Sequence, residues 1–172
     1  AVVLDLDRFL GGGQVALETV GGALDRVRKA GKPVLAYATG YTDDSYLLAA
    51  HASEVWMSPM GGIAFSGPGG SRLYYKGLLD KLGVSAHVYR VGAFKSAVEP
   101  YIRGDQSPEA RAANEALAGA LWQGWQQDVA RARPKAQLAA AIANPAGNGN
   151  LSQTAVAYGL VDTLAEREAF NR

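Results

Sequence analysis

Short apolar runs of strand length alternate with stretches of helical period along this chain, and that alternation most limits the folds open to it. Ala1-Val2-Val3-Leu4-Asp5-Leu6 opens as a buried strand. After Gly11-Gly12-Gly13, residues 14–30 carry Val15, Val20, Leu24 and Val27 at roughly helical spacing, until Gly31-Lys32-Pro33 ends the pattern. Val34-Leu35-Ala36-Tyr37-Ala38 predicts a second strand, and residues 45–53 a compact apolar helix capped by Asp43 or Asp44. Val55-Trp56-Met57-Ser58 and Ile63-Ala64-Phe65-Ser66 predict two more strands, separated by Pro59 and a glycine-rich turn. Residues 72–82 repeat the helical pattern through Leu73, Tyr75 or Lys76, Leu79 and Leu82, and Gly83 stops it. Residues 86–91 then alternate as a half-buried strand does. From Ser107-Pro108-Glu109 a long helix runs to about residue 133, signalled by a serine cap and a proline in the first turn, and a helix-turn unit closes the chain. The expectation is one α/β domain over residues 1–172, its small sheet packed against helices 14–30, 45–53 and 72–82. The helix after Ser107 is expected to project, and its face with Leu117, Leu121 and Trp125 is apolar enough to demand another domain or subunit. Trp122 and Trp125, three apart on that helix, and Trp56 read as core or interface aromatics.

Charge and composition remove several function classes. With 17 basic and 16 acidic side chains the net charge is +1, so no overall basic field draws in nucleic acid. Peptide or small-molecule partners fit better. Cysteine is absent, which excludes thiolate zinc sites and a cysteine nucleophile. His51 and His87 have no second histidine at ligand spacing and are expected to be packed or half-exposed, so neither a metal nor a cofactor is expected. Asp5, Asp7, Asp43 and Asp44 lie near turns, and nothing beside them points to sugar chemistry. No apolar run approaches the roughly 20 residues that cross a bilayer. Because the first residues already read as a core strand, the chain is expected to be a domain excised from a longer protein.

The segment Val91-Gly92-Ala93-Phe94-Lys95-Ser96-Ala97-Val98-Glu99-Pro100 places a lysine among Phe94, Ala97 and Val98. A lysine freed of its proton can take one from a serine hydroxyl, as histidine does in a Ser-His-Asp triad. That role requires the pKa to fall by roughly three units from about 10.4, which burial among apolar groups can accomplish. Read from these residues alone, a lysine beside apolar neighbours is ordinarily a surface lysine whose stem lies along the protein and whose charge stays in water.

Residues 88–103, V-Y-R-V-G-A-F-K-S-A-V-E-P-Y-I-R, resemble the catalytic-lysine segment of the signal peptide peptidase A family, with Ser107-Pro108 where that family also carries S-P. Gly31-Lys32-Pro33-Val34, A-S-E-V-W-M-S-P over residues 52–59 and L-Y-Y-K-G-L-L-D-K-L over residues 73–82 resemble the amino-terminal repeat of its long form. The resemblance covers nearly all of the chain. It implies a crotonase/Clp protease-like fold of stacked ββα units and a serine peptidase with a Ser-Lys dyad, in which Lys95 is the general base. It implies further that the serine lies in another repeat or subunit of a homo-oligomer at the bacterial inner membrane, facing the periplasm, with signal-peptide remnants or other peptides as substrate.

The same resemblance locates a departure. The family serine opens a helix in an A-S-G-G-Y type segment, where backbone N–H groups help hold an oxyanion. Here the matching stretch is Tyr41-Thr42-Asp43-Asp44-Ser45-Tyr46, with Asp43 at the serine position. Ser45, two positions on, reads as a helix-start serine, with no G-x-S-x-G elbow around it. Gly11-Gly12-Gly13 resembles in placement the oxyanion turn of the serine-bearing repeat and reads as a vestige that needs glycine for a tight turn. Neither it nor Gly67-Pro68-Gly69-Gly70 spells a phosphate loop. Besides half of a peptidase, two other classes fit this fold. One is a non-catalytic scaffold lining a peptide groove. The other is a coenzyme A enzyme, which rests on fold analogy alone.

Overall fold

The computed structural model describes residues 1–89, 91–92, 95–147 and 149–172. Along the chain run β1 (Val2–Asp5), α1 (Gln14–Lys29), β2 (Val34–Ala38), β3 (Tyr41–Thr42), α2 (Asp43–Ala50), β4 (Glu54–Met57) and β5 (Ile63–Ala64). They are followed by α3 (Lys76–Lys81), α4 (Glu99–Ile102), α5 (Pro108–Ala132), α6 (Leu138–Ala143), α7 (Leu151–Ala157), β6 (Thr163–Leu164) and α8 (Arg167–Phe170). Two compact units divide the chain: residues 1–67 with 123–172, and residues 68–122.

The first unit is α/β, built on parallel sheets. Its main sheet has the order β1-β2-β4-β6, every neighbour parallel, with Val2 opposite Val34, Ala36 opposite Val55 and Met57 opposite Leu164. The middle strand β2 is an unbroken apolar run because neighbours and helices cover both of its faces. A second sheet pairs β3 with β5, Tyr41 opposite Ile63. Twice, therefore, the chain leaves a strand of the larger sheet, turns a corner and enters the smaller one: β2 into β3, and β4 into β5. The two corners touch. A methyl group on Gly61 would stand 1.7 Å from the carbonyl oxygen of Thr39, and one on Gly40 3.0 Å from that of Gly62, so this crossing has no room for side chains.

Helix α1 exists where its periodicity predicts, but it buries another face. Leu17, Gly21 and Leu24 turn inward, while Val15 and Val20 are exposed. Gly21 sits on that stripe because the His51 ring lies against it, 2.6 Å from where a Cβ would be. His51 closes α2 and is buried, its Nε2 3.2 Å from Asp128 and its Nδ1 3.0 Å from Asp25. The second contact is close enough for charge attraction yet is not aligned as a hydrogen bond. Arg28 donates to the His51 carbonyl, and Arg131 pairs with Asp128. The packed imidazole expected from the sequence is thus found at His51, inside a charged cluster joining α1, α2 and the second half of α5.

The carboxyl ends of β1 and β2 are pinned by α8. Arg167 pairs with both Asp5 and Asp7 and lies 4.8 Å over the Tyr37 ring, while Phe170 packs on Tyr37 and Trp56. The Arg167 hydrogen bond holds Asp5 below its ordinary value of 3.8. Partial burial pushes Asp7 upward, but hydrogen bonds from Thr39 and Arg167 more than offset this and hold it low as well. A carboxyl with a depressed folded pKa contributes its full stability above the unfolded value and loses it as pH falls through the folded one. Lowering the pH below about 4 is therefore expected to unstitch this corner. In urea titrations across the acid range, Arg167→Met should flatten the acid loss of stability, by less than about 1 kcal/mol because the pairs are solvent-screened. An unchanged acid slope in that variant would remove this account of the corner.

The second unit departs most from expectation. The helix predicted over residues 72–82 is reduced to α3, which buries no residue, and Leu73, Leu78 and Leu82 are exposed. The strand predicted over residues 86–91 is absent among the described residues, and Tyr89 and Val91 are exposed. An alternating pattern becomes a strand only when another strand completes its hydrogen-bond ladder, and no described strand lies within this unit. In α5 the expected outward face also fails at one position. Leu117 and Leu121 are exposed, but Trp125 is buried in the first unit, edge-on to Phe65 at 4.9 Å.

Candidate functional site

Lys95 belongs to residues 68–122 and stands exposed just ahead of α4. Gly92, three residues earlier, has φ +102°, a conformation that favours glycine, and its carbonyl receives the Lys95 N–H at 3.5 Å. Phe94, expected to help desolvate the lysine, lies with Ala93 and Arg90 outside the described residues. Behind Lys95 the backbone is tied in three places. Arg72 donates to the carbonyls of Ser96 and Ala97 at 3.2 and 3.4 Å, and the Tyr75 N–H donates to the Pro100 carbonyl at 2.7 Å. The third tie is Glu99, whose carboxylate is buried and accepts from both the backbone N–H and the hydroxyl of Ser107. Ser107 caps α5 as the S-P pattern predicts, its Oγ accepting the Ala110 N–H at 3.1 Å. The role of Glu99 is not evident from the sequence reading. An acid inside an apolar segment, eight residues before a capping serine, is the signal that could have shown it.

The stretch that matches the family nucleophile lies in the other unit. Asp43 is the first residue of α2, and its carboxylate accepts hydrogen bonds from the Ser66 N–H, the Ser66 hydroxyl and the Gly67 N–H at 3.1 to 3.4 Å. It serves as a brace for the turn after β5. The expected acidic cap of α2 is replaced by Thr42, whose N–H donates to the Ser45 hydroxyl at 2.9 Å. Ser45 is buried, 4 % exposed, and its hydroxyl is held at the start of the helix by Thr42. Asp44 reaches back to the glycine turn and accepts the Gly12 N–H at 3.0 Å, with Gly11 at φ +101° beside it. The Gly12 backbone donor, in the turn that resembles an oxyanion turn by placement, thus holds a carboxylate of the same chain.

His87 is exposed, and Asp5 and Asp7 are spent on Arg167. No group of three or more His, Cys, Asp or Glu suited to a metal ion occurs among the described residues. Among them, too, no helix is long and apolar enough to cross a membrane.

The model of peptidase family S49 matches residues 26–171, and the chain belongs to that family; its α/β build on parallel strands is consistent with this. The resemblance first drawn from residues 88–103 therefore holds. Among known proteins the chain is similar to Protease 4 of Salmonella typhi, 42 % identical over 172 residues that take in 95 % of this chain. Protease 4 of Haemophilus influenzae is 42 % identical over 132 residues, 77 % of the chain. The aligned region amounts to 28 % and 22 % of those proteins, so the chain spans about a quarter of the relatives it matches.

Proposed function

We propose that this chain is the lysine-bearing part of a serine endopeptidase with a Ser-Lys dyad, in which Lys95 is the general base. The observation that carries the reading is the place of Lys95 in a chain of the S49 family, on a segment braced by Arg72 and Glu99; the substrate or the partner repeat would complete the desolvation that the exposed lysine lacks. Lys95 takes the proton of a serine hydroxyl, and the oxygen attacks the scissile carbonyl. The lysine then returns the proton to the leaving amine, leaving an acyl-enzyme that water hydrolyses. As the family resemblance implies, the serine is supplied by another repeat of the same protein or by a neighbouring copy, with Asp43 standing at the matching position in this chain. Signal-peptide remnants or other peptides are the substrates, at the inner membrane on its periplasmic side. The twofold passage from the larger sheet to the smaller favours a crotonase/Clp protease-like fold of ββα units within a two-repeat protein.

The test is covalent labelling. The isolated chain should hydrolyse no peptide ester and take up no serine-directed phosphonate, while the full-length protein takes up one per lysine-bearing segment. Labelling of the isolated chain at Ser45 would sink the division of labour. Full-length protein that resists the reagent would favour a scaffold without chemistry of its own.

A further inference from the structure

Glu99 is fully buried, 0 % exposed, four residues after Lys95. Its Oε2 accepts the Ser107 N–H at 3.1 Å and its Oε1 the Ser107 Oγ–H at 2.5 Å, and the same Oγ accepts the Ala110 N–H. One hydroxyl therefore caps α5 with its lone pair and fastens α4 with its proton. Removing a carboxylate from water is costly, and a hydrogen bond to an ionised group offsets more of that cost than one to a neutral amide. A neutral glutamine of the same shape would avoid the desolvation but lose the charge-assisted bond to the hydroxyl. The other ties on this segment are of a different kind. Arg72 is exposed, and the Tyr75 tie is a single backbone bond, so Glu99 and Ser107 form the buried side-chain tie on this segment.

We infer that Glu99, acting through Ser107, is a positioning residue for Lys95: it fixes where the lysine segment ends against the start of α5, and thereby where the base is presented. The inference rests on reading Lys95 as the general base. A base displaced by a fraction of an ångström from its serine loses rate without losing substrate affinity, so the signature is in kcat.

The experiment uses full-length protein and an N-blocked p-nitrophenyl ester of a short apolar peptide, assayed well below each variant's own melting midpoint. Glu99→Gln and Ser107→Ala should each lower kcat about ten- to a hundredfold per folded molecule with KM changed less than about twofold, and Ser107→Thr should recover most of the loss. Full kcat in Glu99→Gln and Ser107→Ala beside an inactive Lys95→Ala would overturn the positioning role and leave the general base standing. An active Lys95→Ala would overturn both. A loss of kcat matched by an equal loss of folded protein would make the pair merely structural and overturn the inference. Should Glu99→Gln fail to fold, the Ser107 variants decide: equal rates for Ala and Thr overturn it, and recovery by Thr alone upholds it.

Discussion

In the full-length protein, Lys95→Ala and Lys95→Arg are expected to abolish peptide hydrolysis while the melting curve stays where it was. Alanine removes the base. Arginine keeps the positive charge but does not release a proton in the working pH range, so it fails for a different reason and shows that charge alone is insufficient. The loss should reach about a thousandfold or more, as when a general base paired with a serine nucleophile is deleted. Stability should hold because Lys95 is exposed, and substitutions of exposed side chains usually change stability by less than about 0.5 kcal/mol. Lys32→Ala, Lys76→Ala and Lys81→Ala are the controls. Lys76 is engaged with Asp80 on the surface of α3, a contact of little consequence for catalysis. Near-normal cleavage by Lys95→Ala, with loss in Lys76→Ala, would refute the assignment.

The second large effect belongs to the fold. Gly61→Ala should destabilise the protein by more than about 3 kcal/mol, a drop of roughly 6–12 °C in Tm for a chain of this size. The new methyl would stand 1.7 Å from the Thr39 carbonyl oxygen, with the Thr39 carbonyl carbon at 2.9 Å and the Met57 side chain at 3.1 Å. The obstacle is backbone, which cannot swing aside as a side chain tip can. Thr39 and Met57 belong to the two corners where the chain crosses between sheets, so relief of the clash must spread into both. Gly119→Ala is the contrasting case. Nothing lies within 4 Å of its position inside α5, and alanine there should stabilise by up to about 1 kcal/mol. A melting midpoint for Gly61→Ala within a degree or two of the parent would show that the corners yield more easily than their packing indicates.

The sequence announced strands where apolar runs were short and bounded, as at Val34 to Ala38, and helices where the period was long, as in α1 and α5. It misread the inward face of α1, since the buried stripe passes through Gly21, and a count of hydrophobic residues gives glycine no weight. It also assigned helix and strand to residues 72–91 from pattern alone. Pattern records which side chains favour burial and says nothing of whether a partner surface is present, and in this chain Leu73, Leu78, Leu82 and Tyr89 remain in solvent. The proposal for Lys95 comes from family resemblance and not from its physics. The brace of its segment was not legible, because Glu99 and Ser107 meet only after the chain has turned between α4 and α5. The bonds of Asp43 to Ser66 and Gly67 link residues more than twenty apart and leave no local trace.

Those carboxylates bear on how such a chain could change its role. The resemblance sets Asp43 in the place of a nucleophile and Gly11 to Gly13 in the place of an oxyanion turn, and both places are occupied by neighbouring acids of one helix start. A serine at position 43 would leave the turn after β5 without its brace, and Asp44 would still hold the Gly12 amide. Recovery of a self-sufficient centre thus lies across a valley of at least two adjacent substitutions, the first of which loosens the fold and gains no chemistry. Under the division of labour proposed above, a mutual lock of this kind is hard to reverse, and it ties the lysine to whichever partner brings the serine.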